Sequence, residues 1–264
     1  MSHLENMPQQ SQPAPAYVLG VRVDRLFQRQ ALAMIEQMIA LRRASGNTLP
    51  CQQVVTVNTE FVMEAQHNED FRCAINSSAL VIADGIGVVW ATHFVYCPAP
   101  ERITGTDILV ALARRCAQKG FRLYLLGAAP GIAEQAGARL QALAPGLEIA
   151  GTYAGSPAPA EEDAIIERVR AVNADVLCVA YGAPAQDLWI DRNLSRLPVA
   201  VAMGVGGAYD FLAGRQRRAP QAMQRMGLEW LYRLYREPWR WRRMLAIPRF
   251  MLQVILRGRK KHDL

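Results

Sequence analysis

Short β-branched runs that alternate with longer stretches of helical spacing set the strongest limit on what this chain can become. The runs predict strands at 17–21, 53–57, 79–83, 122–126, 147–151, 175–180 and 199–203. The spacing between them predicts helices at 25–43, 60–76, 106–119, 131–143, 159–172 and 184–194. Strand–helix alternation argues for a parallel sheet covered on both faces by helices. Asp24 stands where it can cap the first helix, and Asp107 falls in the first turn of another, where a carboxylate suits the helix dipole. After Asp210 the strands stop, and the rest reads as helices punctuated by Pro220, Pro238 and Pro248. With 264 residues, the chain has room for one α/β domain plus a small appendage. The expected organisation is a disordered tail over 1–16, an α/β domain over 17–210 and a basic helical appendage over 211–264.

Charge sets that appendage apart. Of the 30 Lys and Arg, 14 lie after Gly214 against three acids, so the segment is +11 (14 − 3) and everything before it is −4 (16 − 20). The same end carries Trp230, Tyr232, Tyr235, Trp239, Trp241 and Phe250. Arginine interleaved with aromatics suits phosphates or an anionic membrane surface. No run of 18 apolar residues occurs, so no membrane span is expected, and the first 16 residues lack the apolar core of a signal peptide. The five cysteines (51, 73, 97, 116 and 178) are scattered without a CxxC pair. They fit a reduced cytoplasm and suggest neither a disulfide framework nor a zinc site.

In an open parallel sheet, ligands bind beyond the carboxyl ends of the strands. Those ends carry Thr56-Val57-Asn58, Asp84-Gly85-Ile86-Gly87, the glycine turn from Gly127 to Gly131, Gly182-Ala183-Pro184-Ala185-Gln186-Asp187, and Gly204-Val205-Gly206-Gly207. Glycine lets backbone N–H groups approach a ligand, and a helix start behind it favours an anion. Strand–helix turns favour Gly, Asn and Asp in any case, so the signal is the convergence of five such turns on one edge. None is a full dinucleotide fingerprint, and none carries a P-loop lysine. There is no Asp-x-Asp and no His pair at ligand spacing, and Glu161-Glu162-Asp163 opens a predicted helix, so no metal is expected. A nicotinamide-dependent oxidoreductase and a nucleic-acid-binding module that uses the Arg/Trp-rich end remain as alternatives.

Taken in order, these motifs resemble the WecG/TagA/CpsF family of bacterial glycosyltransferases, from about Leu19 to Arg249. Further blocks are Arg102-Ile103-Thr104-Gly105-Thr106-Asp107, Ala208-Tyr209-Asp210, Ala213-Gly214, Arg218-Ala219-Pro220 and the run from Gly227 to Leu234. The resemblance implies a Rossmann-like α/β domain with a C-terminal helical appendage. It also implies inverting, metal-independent transfer of a sugar from a UDP donor to a sugar on a polyprenyl diphosphate. The place of work would be the cytoplasmic face of the plasma membrane, with peripheral attachment to its anionic surface. A homo-oligomer is left open, and no nucleic acid partner is expected. Asp84 matches the family's general base, and Thr56, Asn58 and Gly85 match the lining of the same pocket. Arg102 matches an arginine near the reacting groups, and Gln186 a contact to the nucleotide-sugar. Gly127, Gly182, Gly206 and Asp210 fall at the nucleotide end, and Arg233, Arg240 and Arg243 are expected to close over the diphosphate, where an arginine fork pairs two phosphate oxygens.

Two departures bear on the donor sugar. Ala185 and Asp187 stand where the family often has Lys and Glu, and Ser156 follows Gly155 where an aromatic is common, with Tyr153 nearby as a substitute. Simpler readings stand beside the functional ones. Asp84 can cap the next helix, Asp107 and Asp210 can brace turns, and His67 and His93 sit in helical stretches. Met244, Leu245, Phe250, Met251, Val254 and Ile255, with flanking arginines, resemble an interfacial helix.

Overall fold

The computed structural model describes residues 13–96 and 98–258, without the side chains at 225, 240, 242 and 243. Cys97 and residues 1–12 therefore lie outside it. Six strands form one parallel sheet: β3 (Gln52–Val57), β4 (Leu80–Ala83), β5 (Arg122–Gly127), β6 (Glu148–Tyr153), β7 (Val176–Ala180) and β8 (Val201–Gly204). Their order is β4-β3-β8-β7-β5-β6. The step from β3 to β4 runs toward one edge, while the link from β4 to β5 crosses to the other half. Such a reversal opens a crevice over the carboxyl ends of the central strands.

Period-two alternation divides the core. Val54, Leu123, Leu125, Val176, Cys178 and Met203 face one layer. There they meet α1 (Gln28–Ala44), α5 (Gly105–Lys119), α6 (Ile132–Leu143) and α9 (Ala208–Leu212). On the other face, Leu126, Leu177 and Val179 pack on α7 (Glu162–Ala171) and α8 (Ala185–Asn193). Val55, Val57, Val81 and Ala83 pack on α2 (Thr59–Glu64), α3 (Glu69–Ser77) and α4 (Ile86–Val95). Strands this uniformly apolar are what two covered faces require.

Several expectations need correction. The run at 17–21 is not one strand but a hairpin, β1 (Ala16–Val18) and β2 (Val21–Val23), turned at Leu19-Gly20. Ala16, assigned to the disordered tail, opens β1, is fully buried and pairs with Val23. Asp24 does not cap the first helix. Its carboxylate accepts the Val81 N–H at 2.8 Å and pairs with Arg22, while α1 begins after Phe27, whose N–H goes to the Gln30 side chain. The helix at 60–76 is two, because Asn68 accepts the Phe71 N–H and restarts the chain as α3.

Residues after 210 form α10 (Gln221–Arg225), α11 (Glu229–Arg236), α12 (Trp241–Met244) and α13 (Ala246–Gly258). The boundary drawn at 210 falls inside α9. Helix α13 lies against α2 and α4, and its Phe250 and Val254 belong to the same apolar cluster as the hairpin and β3–β4. Among the described residues, no helix is long and apolar enough to cross a membrane.

Candidate functional site

The carboxyl ends of β3 and β4 bring Thr56, Asn58 and Asp84 together. Asp84 follows β4 directly, its own N–H bonded to the Val57 carbonyl. Its Oδ2 accepts the Gly105 N–H at 3.2 Å, so the carboxylate sits at the positive end of α5. A side chain on Gly105 would touch Thr56 Oγ1, the Val205 carbonyl and Asp84 Oδ2, all within 4 Å, which places these groups around one point. Burial pushes the Asp84 carboxyl up to about 6; the Gly105 N–H opposes the shift, Glu229 adds to it and Arg102 opposes it. A carboxylate so tuned is ionised at neutral pH yet basic enough to take a proton.

Neighbouring positions divide into those aimed at the crevice and those that build it. Asn58 caps α2: its Oδ1 accepts the Glu60 and Phe61 N–H groups at 2.9 and 3.1 Å. Gly85 starts α4 at φ +99°, a conformation that favours glycine, and it packs beside Asn58. Arg102 donates to Glu229 Oε2 at 2.9 Å and to the Gln224 carbonyl at 2.8 Å. Arg218 pairs with Asp107 at 2.6 Å and reaches Glu229 Oε1 at 3.4 Å, while the Thr104 hydroxyl donates to Asp107 at 2.7 Å. A chain of charges thus runs from the N-terminus of α5 to α11. Burial raises Asp107, but the hydrogen bonds from Arg218 and Thr104 and the charges of Arg218 and Arg102 together outweigh it and hold the carboxyl below its ordinary value.

A second group gathers at β7 and β8. Gln186 is buried, and its Oε1 accepts the Gly182 N–H at 3.2 Å and the Gly206 N–H at 3.0 Å, so one amide ties two glycine turns together. The expected nucleotide contact is therefore engaged in holding the turns. Asp187 beside it is fully buried, and desolvation pushes its carboxyl up to about 7. Arg233 of α11 stacks over Phe211 and lies against Gly207 and Gln216. Asp210 lies in the first turn of α9, just past this glycine turn.

Gly127 ends β5 at φ +99°, and a Cβ there would meet the Ala180 backbone at 2.8 Å, so glycine is required for the two strands to close. Tyr153 lies at the β6 edge under the Arg168 guanidinium, away from Asp84. Arg240 and Arg243 have side chains outside the described residues. Two participants went unassigned in the sequence, Arg218 and Glu229. Both lie in blocks that carry the family resemblance, but neither has a local signal for its partner.

Comparison with known proteins places this geometry. The sequence model described as "Glycosyl transferase WecG/TagA/CpsF family" matches residues 16–263. A relative from Bacillus spizizenii (strain ATCC 23059 / NRRL B-14472 / W23), named N-acetylglucosaminyldiphosphoundecaprenol N-acetyl-beta-D-mannosaminyltransferase, is 36% identical over 202 residues. That alignment spans 76% of this chain and 78% of the relative. A protein of the same name from Bacillus subtilis (strain 168) is 33% identical over 208 residues, 79% of this chain and 80% of its own.

Proposed function

The chain belongs to the WecG/TagA/CpsF family of glycosyl transferases, and from that premise we propose that it moves a sugar from a UDP donor to a polyprenyl-diphosphate-linked sugar. The nucleic-acid and nicotinamide readings give way to family membership. Both relatives are named for N-acetylmannosaminyl transfer to N-acetylglucosaminyldiphosphoundecaprenol, which favours UDP-N-acetylmannosamine over the other candidate donors, UDP-glucose and the mannosaminuronic acid derivative.

The observation that carries the reading is Asp84, a carboxyl held near pH 6 at the start of α5. In the proposed step Asp84 removes the proton from the acceptor hydroxyl as that oxygen attacks the anomeric carbon. The bond from that carbon to the UDP oxygen breaks, its electron pair leaves with the diphosphate, and the configuration inverts. A base of this kind contributes roughly 10²- to 10⁴-fold. Thr56 and Gly85 line the reacting centre, and Arg102 sits beside it. The diphosphate lies toward Gly206 and Arg233, with Arg240 and Arg243 proposed to close over it and neutralise the leaving charge without a metal. Exposed Trp239, Trp241, Leu252 and Leu256 among the arginines support peripheral attachment to the anionic cytoplasmic face of a membrane.

The test is UDP release from a panel of UDP-sugars in EDTA, with and without a polyprenyl-diphosphate-sugar in liposomes. Acceptor-dependent release from one donor is expected. A folded protein that releases no UDP from any donor–acceptor pair would overturn the reading.

A further inference from the structure

At the opposite end of the sheet, the amino ends of β5, β7 and β8 surround a polar cavity of about 270 Å³, lined by Arg42, Arg43, Asn47, Arg122, Asn173 and Asp175 among others. It is separated from Asp84 and the glycine turns by the length of the strands, about 17 Å at ~3.3 Å per residue. We propose that this cavity is a second, phosphate-type oxyanion site, centred on Arg42.

Three arginines face one lining carboxylate. Asp175 is committed to Arg43, with both contacts at 2.7 Å, and to the Arg122 N–H at 2.7 Å. Arg122 gives its Nε to Glu148 at 2.6 Å. Arg42 has no carboxylate within ion-pair distance among the described residues; its guanidinium donates to the Leu49 carbonyl alone. Yet the residue is only 8% exposed. Its guanidinium borders the cavity without a counter-charge, and partial burial lowers its pKa. An oxyanion in the adjoining cavity supplies the missing charge.

The rest of the lining suits the same ligand. Asn47 and Asn173 both sit in the left-handed region, at φ 66° and 47°, on the loops that frame the cavity. Their side-chain amides make no hydrogen bond among the described residues and are available as donors. The cavity holds a phosphate or a diphosphate with room for water, and its polar walls disfavour an apolar ligand.

The experiment uses the full chain. Inorganic phosphate and pyrophosphate are titrated by calorimetry and thermal shift at ionic strength held constant with sodium chloride, with and without saturating UDP. Saturable binding that UDP leaves unchanged is expected. Arg42→Gln weakens it roughly tenfold or more, the loss expected for a charge-assisted hydrogen bond. Asn173→Ala, at an exposed position, weakens it several-fold and decides the matter if the Arg42 variant does not fold. Binding that is not saturable, that UDP displaces, or that Asn173→Ala leaves intact overturns the proposal. None of these readouts depends on sugar transfer, so failure of the proposed reaction would leave this result standing.

Discussion

Arg102 and Glu229 stand 127 positions apart in the chain and meet at 2.9 Å, which clasps the loop between α4 and α5 to the first turn of α11. Both side chains are 23% exposed, so water screens the pair only in part. The proposed catalytic edge is therefore completed by residues beyond the last strand, and its arginine is aimed by a carboxylate from α11.

Glu229→Gln is expected to lower kcat/KM by about tenfold, because it removes the negative charge shared by Arg102 and Arg218 and puts an NH2 donor in place of one of the two oxygens they use. In a double-mutant cycle with Arg102→Gln, read by denaturant unfolding, the coupling should be on the order of 1 kcal/mol. Additive effects would detach the two residues from a common role.

Asp84→Asn should keep UDP binding and lose turnover by at least ~10²-fold. In the unmodified enzyme, kcat/KM should rise with pH through about 6 and then level, since the base must be ionised to accept a proton. A profile flat from pH 5 to 8 would remove Asp84 from the proton transfer.

The same substitution should stabilise the fold. The native carboxyl keeps its proton to about 6 against an ordinary 3.8, so between those values the folded state binds more protons than the unfolded one. Stability then falls as pH rises through that window, and above it the ionised group costs about 3 kcal/mol. Asp84→Asn should raise Tm at pH 7.5, with the gain vanishing below pH ~4. Equal stability at both pH values would contradict the buried-charge account.

Phe250→Ala should cost about 3–5 kcal/mol in urea unfolding, because the ring is fully buried beside α2 and α4. A helix that merely rests on a lipid surface would lose almost nothing from this change.

The sheet was readable because most of its strands are buried on both faces and therefore mainly apolar, while their turns carry Gly, Asn and Asp. Asp84 was readable for the same reason, as a carboxylate directly after such a run. Boundaries set by a single side chain were not. Asn68 restarts a helix inside a stretch that reads as one, and the Leu19-Gly20 turn folds one short run into two strands. The Asp107–Arg218 pair spans 111 positions, and no local spacing encodes it. The role of Gln186 was visible as polarity at a strand end, but its inward direction depends on two N–H groups that only the folded turns bring within reach.

Because Phe250 and Val254 seal the apolar layer over β3 and β4, that layer is finished by a segment synthesised only after every strand of the sheet. A nascent chain can assemble all six strands of the sheet and still present an open greasy flank until α13 has emerged from the ribosome. A nonsense mutation before Phe250 should accordingly yield a target for proteolysis rather than a weakened enzyme.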